Sequence, residues 1–359
     1  MAPPPHKGPR RKRSAAVSTQ MTQMNITSID DDGTQVEGST RKKKGTKRKL
    51  HRAPPANAGS KDAPQAKLVF RDFAFGAIKT GIPGLLAEFN DIKAQTQAIG
   101  ATPKIAFDSH PDKNRYKDVY CVDESRVLLK YPHGADDYIH ANWVSLSDGR
   151  RYICTQGPIE KTNDDFWRMV WQEKCKSIVM LCNVIECGKK KCEQYWPEQL
   201  NLDLRIRAIA REDFEKLITV TKIIVTDGTE AHEVEHIIWN NWPDRGVPVD
   251  VLTCFKLLTK LKRLSPTVIH CSAGIGRTGT IVGLDLAHTK LMKSEPCNLK
   301  QIVMELRAKR HGSVQMDIQY LYMHRVMIAF VVNKKLITQE EADPFIKAYE
   351  VLCKQRGFL

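Results

Sequence analysis

Among the ten cysteines of this 359-residue chain, no two stand at Cys-x2-Cys spacing, and the closest group, Cys182, Cys187 and Cys192, has no second cluster to pair with. That pattern excludes a zinc-finger arrangement, so no metal is implied. Scattered single cysteines also argue against a disulfide framework and for a reducing compartment, cytoplasmic or nuclear. A GxxxxGK[ST] string is missing, which excludes a nucleotide-binding loop of that kind. No apolar run approaches the roughly 18 residues of a membrane helix. The opening Met1-Ala2-Pro3-Pro4-Pro5-His6-Lys7 has no apolar core, so no secretory leader is expected. Ala2 rules out myristoylation, and Arg356-Gly357-Phe358-Leu359 offers no prenylation cysteine.

Aromatic residues are only 7% of the chain, and none occurs before Phe70. Residues 1–67 instead carry 15 Lys+Arg against 5 Asp+Glu, a charge of +10, which leaves +5 of the total +15 for the other 292 residues. Rich in Pro, Ser, Thr, Gln and Lys, this stretch is expected to be a disordered tail. Its two basic clusters, Pro9-Arg10-Arg11-Lys12-Arg13 and Arg41-Lys42-Lys43-Lys44-Gly45-Thr46-Lys47-Arg48-Lys49, are candidates for binding import receptors or polyanions. Without interleaved aromatics, no base-stacking nucleic-acid site is supported.

What is present is concentrated in His270-Cys271-Ser272-Ala273-Gly274-Ile275-Gly276-Arg277-Thr278-Gly279. Before it, Thr267-Val268-Ile269-His270 is β-branched and apolar, as a buried strand would be. After it, Thr280-Ile281-Val282-Gly283-Leu284-Asp285-Leu286 reads as a helix whose N-terminus faces the loop. Strand, glycine-containing loop and helix start together form an anion-binding concavity, because orphan amides and the helix dipole converge there. A thiol in that position is expected to ionise and act as a nucleophile. Arg277, always charged and with a planar fork of donors, suits a phosphoryl group. This is the only Cys-x5-Arg spacing in the chain. His270 is placed to position the cysteine backbone, and Thr278 to donate to the sulfur.

The ten-residue string closely resembles the active-site loop of the protein tyrosine phosphatases. Five further strings resemble that family's motifs in the family's order: Lys113-Asn114-Arg115-Tyr116, Tyr152-Ile153-Cys154-Thr155-Gln156-Gly157-Pro158, Asp165-Phe166-Trp167-Arg168-Met169-Val170-Trp171, Lys191-Cys192-Glu193-Gln194-Tyr195-Trp196-Pro197 and Trp242-Pro243-Asp244-Arg245-Gly246-Val247-Pro248. The resemblance implies an α/β (α+β) fold with a central, highly twisted mixed sheet flanked by helices. It also implies hydrolysis of phosphotyrosine on proteins through a cysteinyl-phosphate intermediate, without metal or other cofactor. Cys271 would be the nucleophile, Asp244 the general acid on a mobile loop, and Gln315 the residue that positions water. Arg277 and Ser272, Ala273, Gly274, Ile275 and Gly276 would cradle the phosphate. Tyr116 would stack on the substrate ring, Asp118 would hold the peptide backbone, and Gln319 would belong to the same substrate site. His270, Thr278, Glu186 and Lys191 would support them. Two departures are visible: Met316 stands where the family usually has threonine, and His140 where it commonly has asparagine. His140 reads as a packing histidine.

The resemblance bounds a catalytic domain at 68–340, with a C-terminal helical extension at 341–359. Apolar spacing suggests helices over 81–99, 251–264, 280–293, 299–310, 319–332 and 340–354, and β-rich runs over 178–182, 217–225 and 232–238. A phosphotyrosine-binding scaffold is the rival from another class, and retention of both Cys271 and Asp244 argues against it. Broader specificity is the other alternative, and the Tyr116 rim argues against that.

Overall fold

The centre of the fold is a strand only four residues long. Thr267–His270 is buried along its whole length and lies parallel to a neighbour on each side. A strand covered on both faces reads as continuously apolar rather than alternating, as Val268 and Ile269 do. Burying each of those side chains contributes about 1.5–3 kcal/mol. The computed structural model describes residues 63–98, 103–196 and 204–358, and the basic clusters expected in the tail lie outside them.

In chain order the helices are α1 (Ala63–Ala98), α2 (Ile105–Ser109), α3 (Asn163–Gln172), α4 (Thr253–Leu261), α5 (Gly276–Met292), α6 (Leu299–Lys309), α7 (Asp317–Asn333) and α8 (Gln339–Gln355). The strands are β1 (Arg126–Leu128), β2 (Tyr138–Ser145), β3 (Arg151–Thr155), β4 (Ser177–Met180), β5 (Ile185–Glu186), β6 (Lys189–Lys190), β7 (Arg205–Glu215), β8 (Ile218–Thr226), β9 (Ala231–Trp239) and β10 (Thr267–His270). Eight of them form one sheet in the order β1-β2-β3-β10-β4-β9-β8-β7, while β5 and β6 form a separate hairpin. The inner strands β3, β10, β4 and β9 run parallel and the outer pairs antiparallel, giving the expected mixed sheet. Helix α5 lies on β3 and β10, is covered by α6 and α7, and these are covered in turn by α1 and α8.

Fourteen of the seventeen residues of α5 are buried, so the loop from which it starts is anchored in the core. The helix begins at Gly276, four residues before the expected start. Arg277 and Thr278 therefore belong to its first turn rather than to a loop. Helix α1 also begins early, at Ala63, within the stretch 1–67 expected as tail. It bends at Gly81, whose φ of +65° is the left-handed conformation glycine tolerates, and Pro83 follows with no amide to donate. Strand β7 is not among the expected β-rich runs. Its residues are mostly exposed and charge-rich, as befits a sheet edge, so no alternating pattern marks it.

Candidate active site

The C-terminal ends of parallel strands are where open α/β sheets place ligands, and Cys271 follows directly on β10. A cavity of about 460 Å³ opens there, lined among others by Tyr116, Asp118, Lys191, Asp244, Cys271, Ser272, Ala273, Gly276, Arg277, Gln315 and Gln319. Gly274 and Ile275 form the buried back of the same turn. Gly274 has φ +70°, and a Cβ there would lie 1.9 Å from the Thr155 carbonyl oxygen, so only glycine fits. Its amide donates to Cys271 Sγ at 3.3 Å.

The curvature of the loop is held from behind by Arg310, a residue that nothing in the sequence singles out. Its fully buried guanidinium donates to the carbonyls of Ala273 (3.0 Å) and Gly274 (3.1 Å). The Ala273 carbonyl shares its peptide plane with the Gly274 amide, so pulling the oxygen outward aims that N–H at the sulfur. Arg310 Nη1 also donates to Asn142 Oδ1 (2.8 Å) and to His140 Nδ1 (3.0 Å). Because arginine only donates, His140 must be the neutral tautomer that gives its Nε2 proton to the Val119 carbonyl, 2.8 Å away. Burial, aided by Arg310, lowers its pKa to about 3. The expected packing histidine is thus a fixed acceptor in this brace.

His270 is tied similarly. Its Nδ1 faces the Cys271 carbonyl at 3.2 Å and so carries the proton, and its Nε2 accepts from Tyr195 Oη at 2.7 Å. Tyr195 Oη must then accept from His236 Nε2 at 2.9 Å. Burial lowers His270 to about pKa 4 and His236 to about 3, so both rings are neutral. Trp167 Nε1 donates to the Tyr195 carbonyl, which joins α3 to this chain of contacts.

Arg277, also buried, makes a bidentate pair with Glu186 on β5 (2.6 and 2.7 Å) and donates to the Leu181 carbonyl at 2.8 Å. Burial disfavours its charge, but the hydrogen bonds to Glu186 and the neighbouring Cys271 more than compensate, and its pKa is raised. Its Nη2 also reaches Asp244 Oδ1 at 3.0 Å, while Lys191 Nζ holds Asp244 Oδ2 at 2.6 Å. Burial pushes the Asp244 carboxyl up, yet Lys191 and Arg277 outweigh it, so the group lies below the ordinary carboxylate range. Trp242 anchors this loop, with its ring buried and Nε1 donating to the Gly246 carbonyl. Arg245 adopts φ +57° at the turn between them.

Tyr116 meets the loop through its hydroxyl, 2.9 Å from Ser272 Oγ, which in turn donates to the Lys191 carbonyl. The preceding residues are fastened by Gln156, whose amide group pairs with Arg115 N (2.9 Å) and the Lys113 carbonyl (2.8 Å). Asp118 is exposed at the rim. Gln315 follows Val314, a fully buried β-branched residue at φ +58°, a strained conformation that costs about 1–3 kcal/mol. Arg307 holds that bend by donating to the Ser313 and Val314 carbonyls. The side chain of Gln315 makes no hydrogen bond among the described residues and lies beside Gly276. Gln319 is committed elsewhere: its Oε1 caps α7 by accepting from the amides of Gln315 and Met316. One expected contact differs outright. The Thr278 hydroxyl is buried without a hydrogen-bond partner and does not donate to Cys271, whose sulfur is met by the Gly274 amide instead.

Residues 110–329 match the protein-tyrosine phosphatase family model. The mouse tyrosine-protein phosphatase non-receptor type 18 is 36% identical over 281 residues, which is 73% of this chain and 61% of that relative. Human receptor-type tyrosine-protein phosphatase zeta is 31% identical over 286 residues, 73% of this chain but 12% of the relative. The solved catalytic domain of human protein tyrosine phosphatase non-receptor type 18 superposes with a TM-score of 0.67 at 33% identity, covering 74% of this chain and 99% of that one. A structure of type 18 with a HER2 phosphopeptide gives a TM-score of 0.68 at 32% identity over the same shares. The chain belongs to the protein-tyrosine phosphatase family.

Proposed function

We propose that this chain hydrolyses phosphotyrosine on proteins through a cysteinyl-phosphate intermediate. The observation that carries this reading is the convergence on one cavity of Cys271 Sγ, the inward amide of Gly274, the fork of Arg277 and the carboxyl of Asp244. The thiolate of Cys271 attacks phosphorus, and the bond from phosphorus to the tyrosyl oxygen breaks. Asp244 gives its proton to the departing phenolate. Arg277 and the loop amides carry the charge of the transferring phosphoryl group, a role that requires no metal. In the second step, water positioned by Gln315 attacks phosphorus, Asp244 takes its proton, and the S–P bond breaks to release phosphate and the thiolate.

The contact between Asp244 and Arg277 adds a detail to this cycle. Asp244 sits on Arg277, where a phosphate oxygen would bind. An incoming dianion must displace the carboxylate from that guanidinium, and losing a cationic partner while gaining an anionic neighbour raises its pKa. The acid is therefore loaded by substrate binding. Tyr116, standing over Ser272, supports selection for the longer phosphotyrosyl side chain over phosphoserine. Asp118, at the rim, is positioned for the peptide backbone.

The test is phosphate release from a phosphotyrosine peptide and its phosphoserine counterpart at about pH 6 with chelator present. Turnover of the first alone is expected. Cys271→Ser abolishes it and Asp244→Ala lowers it at least about 10²-fold, as loss of a general acid does. Binding without turnover by the wild type would make the chain a phosphotyrosine-binding module. The reading includes a cytoplasmic or nuclear location, with residues 1–67 as the segment that meets import receptors or polyanions. Among the described residues, no helix is long and apolar enough to cross a membrane.

A further inference from the structure

Helix α8 lies beyond residue 329, where the match to the family model ends. It is nevertheless bound into the fold along its length. Thr338 and Glu341 cap its start reciprocally, at 2.7 and 3.2 Å. Ala342, Phe345, Ile346, Tyr349 and Cys353 recur at helical spacing and are buried, and the helix packs on α1 and α7. At its end the chain turns through Gly357, at φ +72°. The Gly357 amide donates to the Lys354 carbonyl (3.1 Å) and the Phe358 amide to the Cys353 carbonyl (2.9 Å). Such a pair of bonds around a left-handed glycine ends a helix sharply and turns the next side chain back across its last turn.

That side chain is Phe358, and it meets the loop that carries the acid. Its half-buried ring stands against Gly246, where an added Cβ would come within 3.3 Å of it. Gly246 closes the turn that contains Asp244 and Arg245, by donating its amide to the Pro243 carbonyl at 3.1 Å. Two residues before Phe358, Arg356 Nη1 reaches both carboxylate oxygens of Asp317, at 2.8 and 2.9 Å. Asp317 opens α7 two residues after Gln315. One short segment therefore touches the turn of the general acid and the residues just after the water-positioning glutamine, although neither Arg356 nor Phe358 lines the cavity.

We propose that Phe358 and Arg356 are positioning residues for catalysis: the ring bears on Gly246 to keep Asp244 in the cavity, and the Arg356–Asp317 pair fixes the helix end from which the ring projects. This rests on the phosphatase reading above and deepens it. Gly246 has no side chain, so bulk behind the turn must come from elsewhere in the chain, and Phe358 supplies it. A loop that carries an acid must also move aside to admit substrate, and a contact made in only one of its positions shifts the balance between them. A half-buried aromatic contact biases the loop about 3- to 10-fold toward the position that makes it, and the partly exposed ion pair adds about twofold.

The experiment measures kcat/KM, which reports phosphoryl transfer to Cys271, for phenyl phosphate and p-nitrophenyl phosphate. The first leaving group needs the proton of Asp244 and the second hardly does. Wild type, Phe358→Ala, Phe358→Leu and Arg356→Gln are compared in the whole chain, with and without Asp244→Asn, and thermal midpoints check that each is folded. Phe358→Ala is expected to lower the phenyl phosphate value about 3- to 10-fold while p-nitrophenyl phosphate stays within about twofold of wild type. Leucine, which keeps apolar bulk, should restore most of the loss. Arg356→Gln should lose about twofold on phenyl phosphate, and it carries the same test if alanine unfolds the helix end. With Asp244→Asn in place, none of the three substitutions should lower activity further, because the acid they position is gone. A phenyl phosphate value for Phe358→Ala within about 1.5-fold of wild type, equal losses on both esters, or the same loss beside Asp244→Asn overturns the positioning role and leaves the phosphatase reading intact. Failure of the wild type to release phosphate from either ester overturns the phosphatase reading itself.

Discussion

Replacing Arg310 by methionine tests how the Cys271 loop is held. The guanidinium satisfies four buried acceptors, the carbonyls of Ala273 and Gly274, Asn142 Oδ1 and His140 Nδ1, at 2.8–3.1 Å. An orphaned buried acceptor costs about 1–3 kcal/mol, so leaving all four unmet would cost about 4–12, comparable with the whole stability of an ordinary domain. The structure will not hold still under that load. The two loop carbonyls are the softest members and will turn to find water, and turning the Ala273–Gly274 peptide plane carries the inward amide away from Cys271 Sγ. Removing a buried charge also returns its desolvation cost. The net loss of stability is therefore expected to be about 2–4 kcal/mol by urea unfolding, with kcat/KM on a phosphotyrosine peptide falling at least about 10²-fold, as for a lost oxyanion donor. Arg310→Lys, charged but without the fork, should fall between. A folded Arg310→Met protein whose kcat/KM stays within about threefold of wild type would refute the claim that this side chain aims the Gly274 amide.

Three other outcomes are expected. Gly274→Ala should reduce kcat/KM by at least about 10²-fold and lower the unfolding midpoint, since the methyl must clear a carbonyl oxygen 1.9 Å away at a φ that alanine disfavours. Lys191→Met removes the strongest interaction holding Asp244 ionised. The carboxyl pKa then rises, and the alkaline fall of kcat/KM, where the acid loses its proton, should move to higher pH in a pH–rate profile. The same depressed pKa means that Asp244 stabilises the fold at pH values above the unfolded carboxyl pKa and loses that contribution as pH falls through its folded value. Because its side chain is 34% exposed, the effect is modest, under about 1 kcal/mol. The difference in thermal midpoint between wild type and Asp244→Asn should accordingly narrow below about pH 4.

Much of the site is legible in the motifs. Their order and content lead one to expect Cys271, Arg277, Asp244, Tyr116 and Gln315 at one site, and one cavity is lined by all five. Sequence and fold part company where local pattern carries no signal. Strand β7 is hard to read because a charged edge shows no alternation. Helix α5 starts earlier than its sequence suggests because Gly276 and Gly279 look like loop residues, although a helix packed on every side accepts them. A Cβ at Gly279 would lie 2.5 Å from the Val314 amide nitrogen, so close packing rather than loop flexibility selects glycine there. Position in the string points Thr278 at the sulfur, but the first turn of the helix directs its hydroxyl elsewhere.

The sequence alone determined the chemistry of the loop, because the Cys271 thiol, the small residues after it and the Arg277 guanidinium stand within a few positions of one another. Only the tertiary structure decided what keeps that loop in shape. The brace from Arg310 to Gly274 spans 36 residues, and the pair between Arg277 and Glu186 spans 91. Such contacts exist only once the sheet and its covering helices have been assembled. A buried arginine also looks the same in a sequence as an exposed one, until packing shows which carbonyls it must satisfy.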